Sequence, residues 1–483
     1  MTTEKTTGQT EETTTNTTEN TKTTAMNAAH WAQMLGDCTL GETLELEGLQ
    51  IFPLHRAPAK PDNLDSEAGT ANGENGSAHT AQEKAYTLAD DLLAKKQAEI
   101  REVDQDGVVS DLIFDNQADK HALLLDGIEL RGCKQNRMVN TTILATAGEK
   151  TTVDVSCVEA GRWQHQGETF SHSGRTVGAT LRNRKAHMVH AAPSEPELRD
   201  APDLADGPDG FTTEHRSDVP GGTAASEQAS REQTEAERLT RHYDRRARHR
   251  RTGSPREFMH QEPGRARTNQ AAVWNEVDQY IQSHGAQSAT SALDDVYESV
   301  AREDADAGKR SGERAGERAT ARAAAQEKVE TRLQEMEASG AIVALGNRII
   351  GLDLFADSAT FGGFWKSVAD GYALDARSHA RSQARSQARS RQQSEAQDRS
   401  PEQKQQADNA SEPDSTEADS SEATVSREQV EAWTSFLKTG IELAPRELAG
   451  AGEHFSLQGP GVAGGLVLLE GELVHAALFP ALS

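Results

Sequence analysis

The apolar residues of this chain come in short periodic runs, and five long polar tracts keep those runs apart. Residues 1–25 are mostly Thr with Glu and Asn, and residues 60–82 gather Asp, Asn, Gly, Ser and Ala after Pro61. Residues 193–268 open with Pro193-Ser194-Glu195-Pro196 and mix Pro, Gly and charge. Residues 302–330, rich in Ala, Arg and Glu, suit a helix. Residues 376–424 begin as a tandem of four-residue Ala-Arg-Ser units. Tracts of this kind bury too little apolar surface to offset their ordering entropy. Only 35% of the 483 residues are apolar and 4% aromatic, too few for one packed core of that length.

The expectation is a single discontinuous domain built from residues 26–192, 269–375 and 425–483. Its disordered parts would be 1–25, the insertion 60–82, and the linkers 193–268 and 376–424. No core piece alone looks able to bury enough. In the tandem, Arg377, Arg381, Arg385 and Arg389 fall on one drifting helical stripe. Without an apolar stripe beside it, that helix reads as solvated or transient.

The net charge of −26 disfavours general nucleic-acid binding. The basic runs at 245–251 and 377–391 lack stacking aromatics beyond Tyr243, so they read as solvated linkers. Cys38, Cys133 and Cys157 form no CxxC pair, and an odd count makes a disulfide framework a poor reading. No run of eighteen apolar residues exists, and the Thr-rich start has no apolar h-region. A cytoplasmic protein without a membrane segment is expected.

Between the polar tracts, Leu44 to Phe52 reads as a strand ended by Pro53, and Lys84 to Glu99 as a helix carrying Leu88, Leu92 and Leu93. His121 to Leu125 and Ile128 to Leu130 flank Asp126-Gly127, a hairpin signal. Met138 to Thr146 and Thr152 to Val158 alternate like paired strands. Further hairpins are predicted around Gly346-Asn347 and Glu470-Gly471. Helices are predicted over Val273–Ile281, Leu293–Val300, Phe364–Leu374 and Val430–Leu437. Strands and helices do not alternate regularly, so the fold class is α+β, a hairpin-rich sheet with several packed helices.

The densest information is Gly132-Cys133-Lys134-Gln135-Asn136-Arg137, Asn140-Thr141, and Val155-Ser156-Cys157-Val158-Glu159 with Gly161-Arg162-Trp163. At these residues the chain resembles the ARG and Rhodanese-Phosphatase-superfamily-associated protein domain family. Phe52-Pro53-Leu54, Asp353-Leu354-Phe355, and Leu473-Val474-His475 to Phe479-Pro480 are weaker matches. Cys133 departs from the small residue expected there but is close to it in size. The resemblance covers about half the chain. It implies company with ADP-ribosylglycohydrolases and rhodanese-type phosphatases, hence ADP-ribose or related nucleotides, and brings no established activity.

Lys134, Gln135, Asn136 and Arg137 put four hydrogen-bonding side chains directly after a glycine at a strand end. Gly132 would let a ligand approach the backbone, while Lys134 and Arg137 would neutralise phosphate. A polar loop satisfying its own neighbours is the competing account. Asn140 would read ligand hydroxyls or simply bond the next strand. Arg162 and Trp163 suit phosphate and adenine, although a Trp after a strand is more often a core anchor. Glu159 would orient Arg162, accept from a ribose hydroxyl, or act as a general base. Cys157 as a nucleophile competes with a buried, inert thiol. His187 and His190 lack a third metal ligand, and no cofactor motif is present.

Three functions follow: a phosphorylated-nucleotide sensor or accessory, a hydrolase or transferase at the same pocket, and a scaffold recruiting protein partners through charged disordered arms.

Overall fold

Hairpins dictate the larger of the sheets. The computed structural model describes residues 29–56, 84–103, 110–162, 164–190, 265–310, 314–398 and 424–482. Strands β1 (Cys38–Leu40), β2 (Leu44–Leu46) and β3 (Leu49–Arg56) open a nine-stranded sheet. It is continued by β13 (Gly340–Leu345), β14 (Arg348–Phe355), β15 (Glu442–Arg446), β16 (Glu453–Gly459), β17 (Val462–Leu469) and β18 (Glu472–Pro480). The order is β1-β3-β13-β14-β18-β17-β16-β15, with β2 also on β3. Both hairpins expected near the C-terminal half form, β13–β14 and β17–β18.

The run 44–52 is not one strand. Glu47 and Gly48 adopt positive φ and fold it into the β2–β3 hairpin. Nor does Pro53 end β3, which continues to Arg56. On one edge β2 pairs with 49–51 and β1 with 54–56, so Pro53 falls between the two partners. No ladder donor is asked of it there.

The middle of the chain closes a six-stranded barrel, β11-β6-β5-β12-β8-β9. Its strands are β5 (Ala98–Glu102), β6 (Asp111–Asn116), β8 (Ile128–Cys133), β9 (Arg137–Val139), β11 (Lys150–Cys157) and β12 (Gln166–Thr176). A small third sheet holds β4 (Tyr86–Leu88), β7 (His121–Leu124) and β10 (Ile143–Ala145). The Asp126-Gly127 hairpin is therefore a correction: β7 pairs with β10 and β4, whereas β8 joins the barrel. Gly127 N donates to Val139 O, so this corner changes sheets. Of the two runs expected to pair, Met138-Val139 does pair with Val155-Ser156, but 143–145 leaves for the small sheet.

Eight helices are described: α1 (29–36), α2 (Ala89–Ala94), α3 (Ala179–His190), α4 (Gln270–His284), α5 (Leu293–Arg310), α6 (Arg314–Glu335), α7 (Ser358–Asp398) and α8 (Arg427–Thr439). The helix expected over 84–99 shrinks to α2 between β4 and β5. α8 starts with a capping box, Ser426 and Gln429 each bonding the other's backbone. Trp31 of α1 donates its indole N–H to Leu437 O at 2.8 Å, fixing α1 against α8 over the large sheet. The fold is α+β, as expected.

The Arg tandem needs a correction as well. α7 runs unbroken from 358 to 398, so 376–398 is helix and not linker. The partner stripe is ionic: Arg377 pairs with Glu47 at 2.8 Å, Arg381 pairs with Glu303 and donates to His284 O, and Arg385 donates to Ser283 O. The expected tracts 1–25, 60–82 and 399–423 lie outside the described residues.

In the tract 193–268, only 265–268 is described. Residues 265–269 are laced onto the barrel by Arg265 and Arg267 against Asp111 and Asp154. Arg446 donates to Val189 O and, at 2.7 Å, to Arg265 O, bridging the chain on either side of 191–264. No described helix is long and apolar enough to cross a membrane.

Candidate functional site

Residues opposite one another in antiparallel pairs share a face. Arg137 lies opposite both Leu130 and Cys157, so it points into the barrel with the apolar side chains that fill it. There it is fully buried, with Nη2 3.8 Å from Glu102 Oε1. Its Nη1 donates to Gln135 O at 3.3 Å and Gln135 Oε1 at 3.2 Å. Gln135 in turn donates to Glu159 O at 2.8 Å. The polar run thus plugs one end of the barrel.

Arg162 completes the plug. Nε and Nη2 both donate to the Glu159 carboxylate, the shortest at 2.6 Å. Nη1 donates to Cys133 O at 2.6 Å and Gln164 O at 3.1 Å, and Nη2 also donates to Asn136 Oδ1 at 3.0 Å. Glu159 further accepts from Asn136 N and Thr290 Oγ1. Every nitrogen of the guanidinium is engaged within the protein.

Lys134, Gln135, Asn136, Arg137, Asn140, Glu159 and Arg162 are all buried. Gln135, Asn136, Arg137, Glu159 and Arg162 are brought together by these bonds; Asn140 stands apart, donating to Ala266 O and accepting from Ser156 Oγ, both at 2.7 Å. Trp163 lies outside the described residues. Gly132 answers the approach of a neighbouring strand: at φ 130, a Cβ there would sit 2.8 Å from Thr169 O. Burial pushes the Cys157 thiol up to about 11, far from a nucleophilic thiolate near neutrality.

A second buried cluster escaped the sequence reading. Asp126, at the corner between β7 and β8, takes Arg182 at 2.8 Å and Lys185 at 2.5 Å from α3. Arg182 also reaches Asp353 of β14 at 2.6 Å, and Tyr372 of α7 donates to the same carboxylate at 3.0 Å. His475 of β18 stands 3.4 Å from Asp353 and 2.9 Å from Thr142 Oγ1. Burial raises both carboxyls, but the cations outweigh it: Asp126 is lowered and Asp353 falls to about 2. Asp126, Asp353 and His475 bring ligand atoms within 4.8 Å of one another. Two cations already balance the two acids, so the group has the chemistry of an ion-pair hub. The available signal was an acid in the apolar run 349–355.

Open space lies elsewhere. A cleft of about 290 Å³ is bounded by α3, α4, the β13–β14 hairpin and α7. Its lining includes Asn183, Glu276, Tyr280, Arg348, Asp375, His379 and Ser382. Tyr280 Oη donates to Asp375 Oδ1 at 2.5 Å, and Thr180 N donates to Oδ2 at 2.7 Å. Burial pushes Asp375 up to about 6. Glu276, raised by burial, pairs with Arg184 at 2.6 Å.

The model of the ARG and Rhodanese-Phosphatase-superfamily-associated Protein domain matches residues 37–201 and 227–479. The chain belongs to this family. No curated protein and no solved structure matches it. The family match spans the barrel, the large sheet and the helices that wall the cleft, so the plug, the hub and the cleft are all parts of the family domain.

Proposed function

We propose that the chain is a ligand-binding sensor or accessory protein, and that its ligand enters the cleft between α3, α4 and α7. The observation that carries this is the cleft's buried polar floor, centred on Asp375, in a space of about 290 Å³. That is near the lower end of small-molecule pockets. The company of ADP-ribosylglycohydrolases that the family resemblance implies favours a phosphorylated nucleotide such as an ADP-ribose derivative. Its phosphate is not assigned to Arg162, whose nitrogens are all engaged. The motif residues Gln135, Asn136 and Arg137, with Glu159 and Arg162, serve as the brace that holds the barrel shut. A cytoplasmic setting fits such a sensor, and the charged tract 193–262 is where protein partners would dock.

Thermal unfolding of the full chain against ADP-ribose, AMP and inorganic phosphate tests the proposal. A ligand at about 100 times its Kd adds roughly 2.7 kcal/mol, a readable midpoint shift. Ser382→Trp, an exposed position at the cleft's rim, should abolish the shift. A shift that survives Ser382→Trp, or none with any nucleotide, would overturn the assignment.

A further inference from the structure

Resting on that reading of the cleft, we infer that its inner wall recognises a pair of adjacent hydroxyls, as on a pentose ring, and not a phosphate. The reason lies in which groups still have bonding capacity. Asn183 is buried; its Nδ2 is spent on Pro480 O at 2.5 Å, while its Oδ1 has no partner. Asp375 accepts from Tyr280 Oη on one oxygen and from Thr180 N on the other, with the Thr180 hydroxyl as a third donor, which leaves one of a carboxylate's roughly four accepting sites. Glu276 adds a third acceptor.

Three hydroxyl donors beside these acceptors are already used. Tyr280 Oη serves Asp375, Ser283 Oγ serves Tyr280 O, and Ser378 Oγ is held by His284. A ligand entering this wall meets acceptors and must bring hydrogens. A phosphate brings lone pairs and negative charge against two carboxyls, which disfavours it there. An ammonium group would bring donors too, but Arg184 already sits on Glu276, and Arg348 and His379 line the same cleft. Neutral hydroxyl donors fit this balance best.

The test is calorimetric titration of the full chain with ribose 5-phosphate, its 2-deoxy analogue, pyrophosphate and 1,4-diaminobutane. Ribose 5-phosphate should bind roughly tenfold to a hundredfold more tightly than the 2-deoxy analogue, the range for one hydrogen bond to a charged group. Glu276→Gln should narrow that ratio while leaving the fold intact. ADP-ribose run beside ribose 5-phosphate separates the nucleotide from the free sugar as source of the ring. Equal affinity for the 2-deoxy analogue, or competition by the diamine, would overturn the diol inference alone. Binding by none of these would overturn the cleft assignment beneath it.

Discussion

Arg162 lies along the carboxylate of Glu159, with Nη2 2.6 Å from Oε2 and Nε 2.9 Å from Oε1. Both side chains are buried at the mouth of the barrel. Removing one partner leaves the other charge uncompensated away from water. Arg162→Met should cost about 3–5 kcal/mol in urea unfolding. Arg162→Lys should recover only part of it, because an ammonium cannot present the same fork of donors. A loss within about 0.5 kcal/mol for Arg162→Met, the range of an ordinary surface change, would contradict the brace.

Glu129 of β8 makes stability depend on pH near neutrality. Burial, then the neighbouring Asp294, pushes its carboxyl up to about 7. In the unfolded chain a Glu titrates near about 4.3. Between these values the folded protein keeps a proton that the unfolded chain has released. Stability is therefore greatest below the window and falls as pH rises through it. Glu129→Gln removes that fall, so the variant should gain on the natural chain steadily from about pH 5 to about pH 7. Parallel denaturation curves at each pH would show the assignment to be wrong.

Asn140 holds the segment that re-enters the domain after residue 264. Asn140→Leu keeps the size but removes the donor to Ala266 O and the acceptor for Ser156 Oγ, which keeps Thr268 Oγ1. We expect a loss of about 1–3 kcal/mol and faster amide exchange at 265–270, with the large sheet unaffected. Exchange that accelerates evenly across the domain would argue for a general packing defect.

Glu47 anchors α7 through Arg377 and also receives Arg322 at 2.9 Å. These groups are partly exposed, so the gain is small and screened. Glu47→Ala should lower stability by less than about 1 kcal/mol in dilute buffer. The difference should vanish at about 1 M salt, where screening acts over about 3 Å. Circular dichroism during melting, followed for both chains at both salt levels, decides this.

The hairpins at Gly346 and Gly471 were legible because turn chemistry is local. Asp126-Gly127 was misread for a related reason. A tight turn specifies how the chain reverses, not whether its flanks pair with each other. The polar run Lys134 to Arg137 looks the same in sequence whether it meets a ligand or closes a barrel. Only the register that sets Arg137 opposite Cys157 distinguishes the two. Asp126, Arg182, Asp353 and His475 lie too far apart in the chain for any spacing rule to join them. The Arg stripe was expected to be solvated because only an apolar partner was sought, whereas its partners are carboxylates and carbonyls on three other elements.

The bridge made by Arg446 between Val189 O and Arg265 O has a consequence for engineering. One guanidinium holds the two ends of the intervening tract side by side. Extra length between them then costs only a logarithmic term in closure entropy. The stretch 191–264 should therefore take added length: a foreign domain whose termini lie close together could be inserted there, and the barrel and sheet would still find each other.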